Sequence, residues 1–537
     1  MIRRSLLLAV PLVFLTTTLR AQMEHDHAGP PPARLGRVEF GTSCTPVSQR
    51  AFERGVALMH SFWYEESARA FRAAASADPT CAMASWGLAM TYLHPLWAPP
   101  TPAELQAAAA AAEHARALHP PTRIETDYVE AIGAFYRDHA TVRHRDRLVA
   151  YSQAMRRMHE TYDQDAEAAM LYALSLLAMA QNSPPDTTYA RQREAAAILE
   201  PIFQRQPDHP GVAHYLIHTY DTPALAREGT RAANRYAGIA PSVPHARHMP
   251  SHIYIRLGMW EQAIASNISS ASAARQYEIQ QRWDGAWDQR LHAMDYMAYG
   301  YLQQGRDAQA RRLVDEAAGF PRTYPPGSLT SDYALAAIPA RYAVERGQWA
   351  EAAALPVRAG APPAAAAVTH FTKAIGASRS GDTALARAEV AALASLDDDL
   401  ARRQVPAWAG MVHAQRLAAE SWLALATRDT AGAIRLATQA ADLEDITEKH
   451  PVTPGAILPA RELQGDLLLE LGRAADALAA YRAALAIQPR RARSLAGAAR
   501  AAELAGDAAA ARSFQRELRA LMARSDRGRR EVSLRRP

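Results

Sequence analysis

Small and apolar residues recur along most of the chain with helical spacing, in units of about 34 residues. Counted from Ser48 as position 1, Gly55, Phe71, Ala74 and Pro79 stand at positions 8, 24, 27 and 32. A unit that begins at Leu458 keeps this spacing, with Gly465, Tyr481, Ala484 and Pro489. Small residues let the two helices of a hairpin approach closely, and large ones fill the space between successive hairpins. The pattern predicts an all-α protein of stacked hairpins, because one hairpin cannot bury its own apolar face.

Glycine turns mark further units at Gly258, Gly305, Gly347 and Gly381, each followed five residues later by an alanine. Residues 121–207 are helical in pattern but out of register, so irregular hairpins are expected there. In total we expect about eleven to twelve hairpins over residues 46–522. The pattern is most regular at 48–80, 210–275 and 458–522.

These positions resemble the tetratricopeptide-repeat (TPR) pattern, and the resemblance covers most of residues 46–522. It implies a right-handed α-solenoid with one long concave groove. The block HARHMPSHIYIRLGMW, residues 245–260, also resembles one in exported bacterial proteins of this type whose function is uncharacterised. The resemblance implies a fold and no activity, because such scaffolds carry many functions.

Two histidine pairs stand out chemically. His214 and His218 are four residues apart, as are His248 and His252, and the second pair follows the first after 34 residues. Residues four apart on an α-helix lie on one face. One histidine pair is therefore expected on equivalent faces of two neighbouring helices.

In TPR proteins, positions 2, 5, 9, 12 and 13 of the first helix line the concave groove. By this resemblance, the ligand-type side chains of three successive repeats fall on such positions: His214, His218, His245, His248, His252, His292 and Asp295. Imidazole and carboxylate groups are the usual ligands of transition metals. We therefore predict a zinc, copper or iron site with one or two ions. A peptide-binding or buried polar groove without metal is the alternative interpretation.

A second cluster of aromatic and histidine residues lies near the N-terminus and comprises His60, Trp63, Tyr64, His94 and Trp97. The long connection LHPLWAPPTP, residues 93–102, is expected to cover the groove. A structural aromatic cap is the interpretation that we favour for this cluster.

Residues 1–21 have the features of a secretory signal peptide, with Arg3 and Arg4 before a short apolar run and Ala21 at the cleavage position. They are followed by an extended lead-in over residues 22–45, which contains His25 and His27. We expect a periplasmic or secreted protein with no transmembrane segment after signal removal.

The two cysteines of the chain, Cys44 and Cys81, are expected to form a disulfide, since an even count in an exported protein favours a bridge. Removing the signal lowers the formal charge from +5 to +2. The basic tail of residues 523–537 alone carries +4, which leaves about −2 for the rest of the chain. The body of the protein is therefore slightly acidic, and nucleic acid is not an expected partner.

The sequence contains no HExxH, GxSxG, Walker or GxGxxG motif, so no nucleotide cofactor is expected. We predict an exported TPR scaffold that binds a protein or peptide in its groove and holds a transition metal at the histidines. The alternatives are a metal-dependent oxidoreductase or hydrolase that uses the same site, and a metal-free interaction scaffold.

Overall fold

The computed structural model describes residues 33–403 and 406–529. From Arg34 onward they belong to one compact unit. Each helix packs against the next along the chain, and the first helices of many successive hairpins also pack against one another, as α1, α3 and α5 do. This arrangement confirms the predicted all-α solenoid. No helix in the described ranges is long and apolar enough to cross a membrane.

The N-terminal third contains eight helices: α1 (Pro46–His60), α2 (Tyr64–Ala77), α3 (Ala82–Met90), α4 (Pro102–Ala117), α5 (Arg123–Tyr136), α6 (His144–Thr161), α7 (Ala166–Gln181) and α8 (Ala190–Arg205). The middle part contains α9 (Pro210–Tyr220), α10 (Thr230–Ile239), α11 (Pro244–His248), α12 (Pro250–Arg256), α13 (Trp260–Gln280), α14 (Asp288–Gln303) and α15 (Asp307–Ala318). Two short parallel strands, β1 (Ala286–Trp287) and β2 (Thr323–Tyr324), flank α14 and α15.

The C-terminal part contains α16 (Leu329–Glu345), α17 (Trp349–Ala353), α18 (Pro363–Ser380), α19 (Thr383–Arg402), α20 (Pro406–Ala426) and α21 (Thr430–Ile446). It ends with α22 (Ala460–Glu470), α23 (Ala474–Ile487), α24 (Ala492–Leu504), α25 (Ala508–Leu521) and a short 3₁₀ turn at Met522–Arg524. The basic residues 530–537 lie outside the described part, as do the signal peptide, His25 and His27.

Close packing of aromatic rings on glycines explains the repeat pattern. The ring of Phe71 lies so close to Gly55 and Gly87 that a Cβ atom on either glycine would approach it to 2.7 or 2.4 Å. Tyr481 occupies the corresponding place against Gly465 and Gly497. The aromatic residue at position 24 thus fills a notch formed by the small residues of its own repeat and the next.

The N-terminal segment is tied to the solenoid at several points. The side chains of Leu35 and Phe40 are buried in the core. The backbone N–H of Arg37 donates to the carbonyl of Asp208 (3.1 Å). The predicted disulfide between Cys44 and Cys81 is present and links the residues before α1 and α3.

The connection between α21 and α22, residues 447–459, packs against residues that are distant from it in the sequence. His450 Nε2 donates to the carbonyl of Trp97 (3.0 Å). Arg341 on α16 is fully buried and donates to the carbonyls of Gly455 and Ala456 at 2.8 and 3.0 Å. Tyr296 on α14 donates to the carbonyl of Pro451, and Lys449 donates to Asp221, so this connection also lies against the histidine-bearing hairpins of the middle part.

Candidate metal centre

Three successive hairpins supply the histidines of the candidate centre from their first helices. His214 and His218 lie on α9, His245 and His248 on α11, His252 on α12, and His292 on α14. The first helix of the second hairpin is divided into α11 and α12 at Met249, because Pro250 has no N–H for the helical hydrogen-bond ladder. All six predicted histidines are brought together, and their exposed fractions range from 0% to 9%.

The first triad consists of His214, His218 and His245. His214 Nε2 lies 3.1 Å from His218 Nε2 and 3.2 Å from His245 Nε2. One nitrogen atom from each ring lies within 4.8 Å of the other two. Two nitrogens bound to one ion at about 2.0–2.1 Å lie about 2.9–3.4 Å apart at octahedral or tetrahedral angles. These separations suit ligands of a single ion.

The second triad consists of His248, His252 and His292. His248 Nε2 lies 3.0 Å from His252 Nε2, and the ring centroids of His248 and His292 are 4.2 Å apart. The Nε2 atom of His292 is buried with no hydrogen-bond partner among the described residues. The triads adjoin each other, since the centroids of His218 and His252 are 5.7 Å apart.

Hydrogen bonds to the far side of three rings fix which nitrogen carries the proton. His214 Nδ1 donates to the backbone carbonyl of His60 (2.6 Å) and His252 Nδ1 donates to the Asp221 carboxylate (2.7 Å). His248 Nδ1 donates to Asn267 Oδ1 (2.6 Å), and the Asn267 amide nitrogen donates to the carbonyl of Ala263. A neutral ring with a protonated Nδ1 presents a lone pair at Nε2. The lone pairs of His248 and His252 therefore face each other at 3.0 Å.

Such a pair of facing lone pairs is repulsive unless a cation or a hydrogen-bond donor lies in front of both nitrogens. Burial, reinforced by the neighbouring imidazoles, lowers the pKa of His214 and of His248 well below its ordinary value, so protonation is disfavoured. The same causes lower the pKa of His218, His245 and His292 well below 6.5, and burial lowers the pKa of His252 against the opposing effect of Asp221. The six rings are neutral near physiological pH, which is the form that binds metal ions.

A buried ionic network lies behind His252. Besides His252, Asp221 accepts from Arg256 Nε (2.9 Å) and from Lys449 Nζ (2.8 Å). Burial opposes ionisation of Asp221, but Lys449 and Arg256 outweigh it and hold the pKa of this carboxyl well below its ordinary value. A carboxylate behind a histidine orients the ring and raises its basicity as a ligand.

Aromatic rings cover the histidines. The Phe62 ring lies 4.3 Å from that of His214, and the Trp97 ring lies 5.5 Å from that of His245, centroid to centroid. Trp97 is held by a hydrogen bond from Nε1 to the Thr330 hydroxyl (3.1 Å). The histidines are therefore buried beneath aromatic rings and do not line an open groove.

Asp295, the predicted carboxylate ligand, does not join either triad. Its Oδ1 accepts from Arg341 Nε (2.8 Å), and both side chains are buried. Burial raises the pKa of Asp295, with Arg341 acting in the opposite direction. The residue belongs to a separate buried ion pair that anchors the 447–459 connection.

The second predicted cluster is divided among four places. Trp97 covers the histidine triads, Tyr64 packs against His94 with ring centroids 4.5 Å apart, and Trp63 packs against Tyr277 and Trp287. His60 lies elsewhere, in a third group with Glu167 and His209.

That third group is saturated with hydrogen bonds. His60 Nε2 and His209 Nε2 donate to the two oxygens of Glu167, at 2.7 and 2.9 Å. Tyr215 donates to His60 Nδ1 (2.8 Å), and the N–H of Gly211 donates to His209 Nδ1 (3.1 Å). With every ring nitrogen satisfied, this group is a structural network that holds the His60 carbonyl against His214.

Four residues that sequence reasoning missed complete the surroundings of the centre: Asp221, Asn267, Tyr296 and Lys449. Asn267 could have been found, because it lies on the second helix of the hairpin that carries His248. Tyr296 lies one helical turn after His292, and its hydroxyl is 3.4 Å from His252 Nε2. Lys449 carries no such signal, since it comes from an irregular connection far along the chain.

No protein-family model and no curated protein matches the sequence. Among solved structures, the chain is similar to a human IFIT1 dimer with PPP-AAAA at 10% identity and a TM-score of 0.38, covering 90% of this chain and 96% of that one. It is also similar to a human IFIT1 dimer with m7Gppp-AAAA, at 13% identity and a TM-score of 0.40, covering 82% of this chain and 90% of that one. Similarity at this level gives no information about the function of this chain, which is inferred below from its own site.

Proposed function

We propose that the protein is an exported helical-repeat protein whose six buried histidines bind two transition-metal ions, three imidazoles to each. The observation that carries this proposal is the pair of Nε2 lone pairs of His248 and His252, which face each other at 3.0 Å while both Nδ1 protons are donated elsewhere. A metal ion removes this repulsion, and the unpartnered Nε2 of His292 is available as its third ligand.

The donor set favours zinc, copper or iron. Three neutral imidazoles form a common zinc site that keeps a fourth position for water or substrate, and the same ligands suit copper and iron. Export to the periplasm or beyond the cell is supported by the disulfide, because such bonds persist in oxidising compartments.

Elemental analysis by ICP-MS of protein exported by its host tests this proposal. We expect two ions per chain, taken up from zinc, copper or iron. The double variant His214→Ala/His248→Ala should lose nearly all metal with unchanged helical circular dichroism, because each triad loses one ligand. In the copper(II)-loaded protein, magnetic coupling should reduce the EPR signal below that of two isolated ions.

A matched control is His370→Ala, which removes a histidine that pairs with Glu389 on α18 and α19 (2.6 Å), outside the candidate centre. Its metal content should equal that of the parent protein. Metal retained by the double variant, or no uptake by the parent protein from any of the three ions, would refute the site.

A metal-dependent enzyme is a second candidate function. The specific observation in its favour is that one histidine of the first triad lines a cavity, so that a small molecule has a route to the ion.

A further inference from the structure

A cavity of about 260 Å³ adjoins the histidine triads beside His218. It lies between the C-terminal end of α7, the residues that follow α9 and the 447–459 connection. His218 is 9% exposed, whereas the other five rings are exposed by 3% or less. The first triad therefore has one ring that faces open volume.

The wall of this cavity combines apolar surface with two free hydroxyl groups. Leu96, Leu177 and Pro184 contribute the apolar part. The hydroxyls of Ser183 and Thr222 are buried, with residue exposures of 9% and 4%, and neither has a hydrogen-bond partner among the described residues. A buried hydroxyl without a partner costs free energy, and a ligand that exchanges a hydrogen bond with it removes this cost.

Charged side chains at the cavity are largely occupied with each other. Lys449 pairs with Asp221 (2.8 Å), and Glu448 pairs with Arg256 (3.0 Å). The lining also contains one further acid and one further base, Asp186 and Arg191. This balance favours an uncharged ligand over an ionic one.

A second cavity, of about 740 Å³, shares four lining residues with the first: Leu96, Gln181, Pro184 and Ala407. Trp97 and Trp408 also line it. The two cavities therefore adjoin at these residues, and the aromatic and apolar part of the larger one, beside Arg143, Arg145 and Arg403, suits a molecule with an apolar body.

We propose that the cavity beside His218 is the ligand pocket of the metal centre, and that it takes a small uncharged molecule with one hydroxyl or carbonyl group on an apolar body about the size of a single aromatic ring. This inference rests on the metal centre proposed above. The volume is sufficient, since a cavity of about 150 Å³ in another protein holds benzene. The ligand's oxygen bonds the Ser183 and Thr222 hydroxyls or approaches the ion, and its ring packs on Leu177.

Fluorine NMR with 4-fluorophenol as the probe tests this proposal. In the cobalt(II)-loaded protein the bound probe lies close to a paramagnetic ion, so its ¹⁹F relaxation should be strongly enhanced relative to the zinc(II)-loaded protein. Fluorobenzene, which lacks the hydroxyl, should bind more weakly, and 4-fluorobenzoate, which is charged, should not compete.

Variants of the wall locate the probe. Thr222→Val and Ser183→Ala should each weaken 4-fluorophenol binding about threefold to tenfold and leave fluorobenzene unaffected, because each removes one hydrogen bond. Leu177→Trp should abolish binding of both probes by filling the cavity, while unchanged metal content shows that the variant folds. The control is Ser378→Ala on α18, which removes another buried hydroxyl without a partner, outside the cavity, and should change neither affinity.

The outcomes separate the two proposals. Failure to take up zinc, copper, iron or cobalt would refute the metal centre itself. Cobalt uptake without enhanced ¹⁹F relaxation of 4-fluorophenol, or binding that survives Leu177→Trp unchanged, would refute the ligand pocket and leave the metal centre standing.

Discussion

The orientation of three of the six imidazoles is decided by the group behind the ring. His214 donates to a backbone carbonyl, His248 to an amide oxygen and His252 to a carboxylate. These acceptors differ in charge, but each requires the proton on Nδ1 and so directs the Nε2 lone pair toward the centre. The hydrogen-bond partners therefore determine the ligand set as much as the histidines do.

Asn267→Ala should weaken metal binding about 10- to 100-fold, which is the usual effect of losing an outer partner of a histidine ligand. Without Asn267 Oδ1, the ring of His248 loses its fixed tautomer and orientation. Competition with a chelator of known affinity measures the change. Asn234→Ala removes an exposed asparagine that accepts a bond from Tyr254 (2.8 Å), and it should leave the affinity unchanged. Equal affinities for both variants would contradict the role given to Asn267.

Asp288, at the start of α14, gives folding stability a pH dependence. Burial, with the negative charge of Glu65, raises its pKa from 3.8 to about 7. Between these values the folded state holds a proton that the unfolded chain has released, so the stabilising contribution is complete below pH 3.8 and is lost as pH rises toward 7. The folded protein therefore loses stability between pH 3.8 and about 7, because Asp288 has to ionise in its buried position.

Asp288→Asn, which imitates the protonated form, should therefore stabilise the metal-free protein increasingly from pH 5 to pH 8, by about 2–3 kcal/mol over that interval. Urea unfolding at both pH values measures the difference. Asp315→Asn, at an exposed aspartate on α15 that pairs with Arg311, is the control and should show no such trend. A stability difference for Asp288→Asn that does not vary with pH would contradict the raised pKa.

At the scale of helices, the repeat pattern predicted most of what holds the hairpins together. Positions 8 and 24 of the repeat become the glycine notch and the ring that fills it, as with Gly87 and Phe71. The 34-residue interval between histidine pairs likewise placed His214 and His248 on equivalent faces, because equivalent helices of a solenoid stack in parallel order. Periodic features of the chain were therefore predictable.

Gly87→Ala should destabilise the protein by about 1–3 kcal/mol, the usual cost of overpacking a core. Its Cβ would lie 2.4 Å from the Phe71 ring, which is itself wedged against Gly55. Thermal or urea unfolding measures the loss. Gly133→Ala on α5 is a suitable comparison, because its Cβ would meet no atom within 4 Å, and it should be neutral or stabilising. A neutral Gly87→Ala would show that the notch is not close-packed.

Features without periodicity were not predictable from the sequence. Asp295 lies three residues after His292 and so shares its side of α14, yet Arg341 from the next hairpin captures its carboxylate. Residues 93–102 were expected to cover the groove, and Trp97 does lie over His245 and His292, but the sequence did not show that this ring would separate from the rest of its cluster. In both cases the outcome depends on a partner from another hairpin, and pattern within one repeat contains no information about that partner.

At the scale of the whole molecule, the centre joins distant parts of the chain. The His60 carbonyl comes from the end of α1, the six histidines from α9 to α14, and Lys449 from the connection before α22. Any change that separates the C-terminal hairpins from the middle ones leaves Asp221 without Lys449, and so disturbs His252.

The position of Lys449 has a consequence for the order in which the protein is made. Synthesis proceeds from the N-terminus, so all six histidines leave the ribosome well before the lysine that completes the network of Asp221. At that stage the nascent chain contains all six histidines, but they are not yet fixed in their final arrangement. Under the proposed function, a chain that crosses a membrane unfolded would draw its ions from the compartment in which folding finishes, so the metal supply of that compartment would decide which ion is bound.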